Sequence, residues 1–185
     1  SAAAFLVLIA IAAAIFVIYV LYMWIDRRNN HFKRVRLLYE DVLDFLEERG
    51  DKREVKRARR TLREMESESE DKSAVLWIVL TIVFNPIILY VLHFLSKDFL
   101  KHEKQENILL EDIQDAVESA GGEFRLREYD TIENRNTILY IVLTIITLGL
   151  FGLYWIYTIT KDPNEHFRQS AMTEEDLLGS LESIE

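Results

Sequence analysis

Residues 2–25 read AAAFLVLIAIAAAIFVIYVLYMWI and run without a break into DRRNNHFKRVRLLYEDVLDFLEERG at 26–50. The same stretch returns at the end of the chain. At a constant offset of 135, Phe5–Gly50 aligns with Tyr140–Glu185. Val7, Leu8, Phe16, Tyr19 and Tyr22 meet Val142, Leu143, Phe151, Tyr154 and Tyr157. Asn29, His31 and Phe32 meet Asn164, His166 and Phe167. Glu40-Asp41, Leu43, Leu46 and Glu47 meet Glu175-Asp176, Leu178, Leu181 and Glu182. A middle copy keeps His102, Glu111-Asp112 and Glu118. The unit is one apolar segment followed by His-x8-Glu-Asp-x5-Glu, and a period of this kind marks one building block used three times.

None of the 53 Asp, Glu, Lys and Arg residues falls within 2–25, 74–95 or 137–160. As helices, runs of this length extend at least roughly 33 Å, against about 30 Å of hydrocarbon in a bilayer. Tyr19, Tyr22 and Trp24 close the first run, and Trp77 opens the second. Tyr140 opens the third, and Tyr154, Trp155 and Tyr157 close it. Such rings favour the headgroup level. The first run is longer than the apolar core of a signal peptide and is repeated later, so it reads as a membrane segment. Ser1 without a preceding Met suggests processing or an incomplete N-terminus.

These features predict an all-α integral membrane protein with three transmembrane helices in tandem units and a soluble helical hairpin. Unit 1 (1–73) has a membrane segment at 2–25 and a hairpin at 30–66. Unit 2 (74–136) has a membrane segment at 74–95 and an amphipathic helix at 97–120. Unit 3 (137–185) has a membrane segment at 137–160 and a C-terminal helix at 173–184, with Thr173 as its N-cap. The hairpin follows from two stripes, Phe32, Val35, Tyr39, Val42, Leu46 and then Val55, Ala58, Leu62, Met65, separated by Gly50-Asp51. Residues 123–136 alternate loosely and read as a strand or a loop.

Composition limits the chemistry. There are no cysteines, which excludes disulfides, thiolate catalysis and Cys-ligated zinc. A net charge of −9 disfavours nucleic-acid binding. No nucleophile elbow, phosphate loop or metal-ligand spacing is present, so an enzyme, a catalytic residue and a cofactor are not expected.

Three features invite a functional reading. The repeated His-Glu-Asp-Glu set is first. His31 and Glu40 are nine residues apart and fall on opposite sides of a helix, whereas Glu40 and Glu47 share one. This predicts a solvated carboxylate face with histidines near the headgroups and no local metal site; a site assembled across repeats stays open as the alternative. The second feature is a break inside two apolar runs, Asn85-Pro86 and the stretch containing Gly149 and Gly152. It predicts a kinked crossing helix, with a re-entrant hairpin or a discontinuous helix as alternatives. The third is the basic run around Arg57 and Arg60, which either contacts anionic headgroups or pairs with the acidic helix 40–48.

Residues 144–157, TIITLGLFGLYWIY, followed by Asp162 and Asn164, resemble a widespread group of small prokaryotic multi-pass membrane proteins of unknown function. Their segments read Thr-x-Gly-(Ile/Leu)-(Tyr/Phe)-x-(Ile/Leu)-Tyr-Trp before a polar helix. The resemblance covers about 30 residues and implies membrane residence without an assigned activity; the second run departs from it, with Asn85-Pro86 in place of glycine. A helical hairpin after the first segment is also broadly similar to the YidC and Oxa-type insertases. Those proteins use a hydrophilic membrane groove with a buried basic residue, which the apolar runs here lack.

The expected function is therefore a non-enzymatic structural or accessory subunit of a membrane protein complex, with an insertase or a small transport or channel component as the alternative. Expected partners are the lipid bilayer, other membrane subunits and a second copy of the chain. Docking is expected through Val42, Leu46, Arg57, Arg60 and Leu62. The segment 26–73 holds 14 Lys and Arg, and 96–136 holds 6. With three single crossings, the positive-inside rule puts the N-terminus and 96–136 outside, and the first loop and C-terminus in the cytoplasm.

Overall fold

The computed structural model describes residues 2–127 and 129–184, and these form six α-helices and no strand. Helix α1 spans Ala2–Glu47. No Gly or Pro interrupts it, so the apolar run and the polar stripe that follows share one axis. Its first 19 described residues are almost all exposed. Burial begins at Leu21 and Ile25, then continues through Phe32, Val35, Tyr39, Val42 and Leu46 at helical spacing. This is a helix long and apolar enough to cross a membrane.

Gly50 reverses the chain, with its N–H bonded to the Leu46 carbonyl (2.7 Å). Asp51 caps α2 (Lys52–Glu68) by accepting from the Arg53 N–H. Val55, Ala58, Leu62 and Met65 then bury against Val42 and Leu46, as the two stripes predict. Helix α4 (Ile87–Ser119) adds Leu109, Leu110, Ile113, Ala116 and Val117 to this core, and α6 (Leu150–Glu182) adds Leu177 and Leu181.

The second and third apolar runs are not single helices, which corrects the three-crossing reading. Helix α3 (Ala74–Val83) ends before Asn85-Pro86, and α4 folds back along it. The Trp77 and Phe94 ring centroids lie 5.1 Å apart; a straight helix would separate them by about 25 Å. Helix α5 (Thr137–Ile146) likewise turns back into α6, with Tyr140 5.6 Å from Trp155. Each α3 or α5 arm is 10 residues, about 15 Å, half the hydrocarbon thickness.

The turns satisfy their own backbone. At the second, Leu148 and Gly149 adopt φ of 51° and 94°, and the Gly149 N–H reaches the Thr144 carbonyl (2.8 Å). Thr147 donates its hydroxyl to the Leu143 carbonyl (2.7 Å) and accepts from the Phe151 N–H (2.9 Å), closing one helix and opening the next. Gly152 lies within α6, where a Cβ would stand 3.3 Å from the Thr144 methyl; it lets the arms approach. At the first turn the Ile87, Ile88 and Leu89 N–H groups bond to the Phe84, Asn85 and Pro86 carbonyls (2.9–3.1 Å).

Fold-back also overturns the predicted sidedness of 96–136. The polar parts of α1, α2, α4 and α6 share one core, so they cannot lie on opposite faces of a bilayer. Two further expectations change. No separate helix starts at Thr173, because α6 continues through Pro163 and Thr173 to Glu182. A proline inside a helix costs about 3 kcal/mol, which burial of Trp155, Ile159, His166 and Leu177 on one side of α6 offsets. Residues 123–127 and 129–136 form an irregular strap along α4. Gln114 accepts from the Leu126 N–H, Asn107 donates to the Tyr129 carbonyl, and Glu103 accepts from Thr131 and Ile132.

Candidate metal centre

Each unit delivers its histidine to the same point. His31 on α1, His102 on α4 and His166 on α6 are 7%, 1% and 0% exposed, with ring centroids 5.0–5.6 Å apart. The expected position near the headgroups is therefore corrected. In all three helices the histidine lies six or seven residues beyond the end of the uncharged run, and all three are buried. Most of the repeated carboxylates are exposed (Asp41, Glu47, Glu111, Glu118, Glu175, Asp176 and Glu182), but Glu40 is half-buried and Asp112 is tucked against Arg57 and Thr61.

Glu106 completes the cluster. It sits four residues after His102, hence on the same face of α4, and is 0% exposed. One donor atom from each of His31, His102, Glu106 and His166 lies within 4.8 Å of all the others. His31 Nε2 is 3.0 Å from His166 Nε2. Glu106 Oε2 is 3.5 Å from His166 Nε2 and 3.8 Å from His102 Nε2. These separations bracket the roughly 3.3–3.4 Å edge of a tetrahedron with metal–ligand bonds of about 2.0–2.1 Å.

The surroundings fix the donors. His166 Nδ1 is 3.0 Å from Glu103 Oε2, which sets its proton there and leaves the Nε2 lone pair facing His31 and Glu106. Glu103 also accepts from the Thr131 and Ile132 N–H groups (2.9 Å each) and from the Thr131 hydroxyl. Burial alone would raise the Glu103 carboxyl, but the bonds from His166, Thr131 and Ile132 outweigh it and hold it below the ordinary value. Tyr39 donates to Glu106 Oε1 (2.9 Å), and the Ser170 hydroxyl lies 3.1 Å from the same oxygen. Arg34 grips Glu174 with two bonds (2.6 and 2.9 Å), and Glu174 Oε1 is 3.0 Å from Ser170 Oγ. His102 stacks on Phe32 at 3.9 Å.

Burial pushes His31 down to about 2 and His102 well below the usual imidazole range, with the neighbouring histidines adding to the effect. Both rings are thus neutral, the form that binds metals. Burial raises Glu106. A hydrogen bond between His31 and His166 accounts for that pair only. Among the described residues it leaves both ring nitrogens of His102 and Glu106 Oε2 buried without a hydrogen-bond partner, and the neighbouring Tyr129 hydroxyl likewise. Orphaned buried polar atoms cost about 1–3 kcal/mol each, and a cation among the four donors would satisfy Glu106 Oε2 and one nitrogen of His102.

The residues expected to dock partners sit elsewhere. Val42, Leu46 and Leu62 are buried inside the bundle. Arg57 pairs with Glu54 (3.0 Å), Asp112 (2.7 Å) and Asp115, and exposed Arg60 with Glu64 (2.9 Å). Of the basic run, Arg59 reaches the acidic stretch, at Asp44 and Glu47. Asn85, Pro86, Gly149 and Gly152 lie at the hairpin turns, far along the chain from the histidines. A groove of about 350 Å³ between α1 and α3 is lined mainly by apolar side chains such as Ala13, Val17 and Ile82, with Thr81 and Asn85 its polar members. Sequence reasoning missed Glu106, Glu103, Tyr39 and Ser170. The visible signal was His102-x3-Glu106 beside a histidine present in every unit.

The fold and the cluster define an all-helical protein that joins a long apolar N-terminal helix to a polar bundle with a buried His3Glu donor set. Residues 135–179 match a family model described as a domain of unknown function (DUF4234). The match covers α5, the second turn and α6 through His166 to Gly179, the third unit by itself. No curated protein and no solved structure matches the chain.

Proposed function

We propose that this is a membrane-anchored metalloprotein subunit. A divalent transition ion, zinc in the first instance, is held by His31, His102, His166 and Glu106. The observation that carries this reading is the convergence of the three histidines and Glu106, with His102 and Glu106 Oε2 left without a hydrogen-bond partner among the described residues. Neutral imidazoles and one carboxylate suit zinc, cobalt or nickel over magnesium or calcium. Glu103 adds a second negative charge one bond away, so the ion, Glu106 and Glu103 together are electrically balanced. Four protein donors leave no position for substrate, which favours a structural over a catalytic metal and a non-enzymatic accessory role.

In this reading α1 crosses the bilayer, and the α3–α4 and α5–α6 hairpins enter it to half depth. The bundle with the 14 Lys and Arg of 26–73 then lies in the cytoplasm. The metal ties the three units together beneath the membrane, and other membrane subunits or a second copy dock on the assembled body. An insertase is the weaker alternative, because the groove between α1 and α3 carries no charged side chain. Metal analysis of full-length protein purified in detergent without chelator tests the proposal. About one zinc-class ion per chain is expected, and the intense visible absorption of tetrahedral Co2+ after substitution. A chain that carries no such ion and takes up neither Zn2+ nor Co2+ overturns it.

A further inference from the structure

The four donors are buried, yet one of them borders open space. A cleft of about 380 Å³ lies between α1 and the end of α2, and His102 forms part of its lining with Phe32, Lys33, Arg36, Glu66, Glu70 and Asp71. His102 is 1% exposed, and among the described residues neither of its ring nitrogens has a hydrogen-bond partner. Its ring thus separates the cleft from the ligand set. We infer that this cleft is the loading route for a divalent cation, with His102 as the last ligand to close. The inference rests on the metal-centre reading above.

Three observations converge on it. The cleft wall holds three carboxylates, Glu66, Glu70 and Asp71, against two cations, Lys33 and Arg36, so it favours a hydrated cation. The mouth is held by Arg36 to Glu66 (2.6 Å), a pair with side chains 32% and 46% exposed. Exposed pairs of this kind are worth only about 0–1 kcal/mol, so the mouth opens at little cost. His102 is held by its stack on Phe32 and by no hydrogen bond, so a change of its side-chain torsion turns it between cleft and centre. His166 is pinned by Glu103 and Glu106 by Tyr39, and His31 Nε2 lies 3.0 Å from His166 Nε2. The loop below the cleft is anchored independently. Arg28 donates to the Glu70 carbonyl (2.8 Å), and Asn29 exchanges two bonds with Lys72 (2.7 and 3.2 Å). The carboxylates are therefore presented by a fixed loop. The site is consequently an exchangeable one, filled by free hydrated cation after the bundle has folded.

The test measures rates on the full-length protein in detergent, with Zn2+ as the probe. Loading is followed after mixing apoprotein with Zn2+, and release is followed with a colour-forming chelator in excess. A Glu66→Gln/Glu70→Gln/Asp71→Asn variant should load about 10-fold more slowly at low salt, with the difference shrinking as salt rises. It should still bind one Zn2+ per chain. An Arg36→Ala/Glu66→Ala variant, which opens the mouth, should release Zn2+ several-fold faster. Loading and release rates within twofold of the unaltered protein in both variants, at one Zn2+ per chain, overturn the route while leaving the metal centre standing. Failure of the unaltered protein to bind Zn2+ overturns the centre and the route together.

Discussion

Replacing His102 with Phe should make the protein more stable without metal and blind to metal. The ring stays stacked on Phe32, 3.9 Å away, so the packing contact survives. What disappears is a pair of buried ring nitrogens that have no partner. Relief of orphaned polar atoms is worth about 1–3 kcal/mol per group; taking about 2 kcal/mol in total allows for some overpacking by the larger ring. For a chain of this length, about 1 kcal/mol moves Tm by roughly 2–4 °C, so chelator-treated His102→Phe protein should melt roughly 4–8 °C above chelator-treated wild type. Metal reverses the order. Zn2+ at about a thousand times its Kd stabilises a native-state site by about 4 kcal/mol, or roughly 8–16 °C. Only the wild type should gain this, because the variant retains three of four ligands. Thermal melts in detergent, with and without Zn2+, read both effects. A variant that melts below wild type in chelator, or that gains as much from Zn2+, would refute the argument that His102 is a metal-satisfied orphan.

Other perturbations test the surrounding frame. Leu46, fully buried between α1 and α2, should not tolerate Asp: an unpaired buried carboxylate costs several kcal/mol, and limited proteolysis near Gly50 should accelerate sharply. Arg28 is 1% exposed and salt-bridged to Asp98 at 2.9 Å. Arg28→Met leaves that carboxylate without its main partner and should cost about 3–5 kcal/mol, read as a lower Tm, while Arg28→Met/Asp98→Leu recovers most of it. The chain has no cysteine, so single thiols report sidedness cleanly. Ser67→Cys, Ser119→Cys and Glu175→Cys should all be protected from an impermeant reagent in intact cells, and Ala3→Cys should react; labelling of Ser119→Cys without Ser67→Cys and Glu175→Cys would restore three single crossings.

The buried ion pairs show how the frame and the centre are coupled. Arg28 caps the cluster from below, stacked 4.5 Å over Phe32, the ring on which His102 rests. Burial lowers the Arg28 guanidinium and Asp98 supports its charged form. On the opposite side Arg135 pairs with Asp162, next to Pro163, and Lys97 donates to the Arg135 carbonyl (2.9 Å), tying the strap to α4 and α6. The same strap supplies the Thr131 and Ile132 donors that hold Glu103. A change in the strap is thus transmitted to His166 through a single carboxylate.

The sequence by itself determined the helical class, the apolar N-terminal helix and the α1–α2 hairpin. These depend on features local to a segment: 24 uncharged residues, apolar spacing of 3 and 4, a glycine at the reversal. It also placed most of the repeated carboxylates in water, since opposite faces of one helix are a local matter; Asp112 escapes it because its partners Arg57 and Thr61 lie on another helix. Only the tertiary structure decided that Asn85-Pro86 and Leu148-Gly149 reverse the chain where a kink was expected. Those breakers remove helical hydrogen bonds in either case, and the choice lies in whether the arms pack, as Trp77 does on Phe94 and Tyr140 on Trp155. The metal-ligand set depends on the same event. His31 and Glu40 cannot meet on one helix, but fold-back returns all three units to one side, where histidines 71, 64 and 135 residues apart converge. Spacing along a chain constrains only neighbours on one element; the burial and pairing of residues on three elements are fixed by how those elements cross.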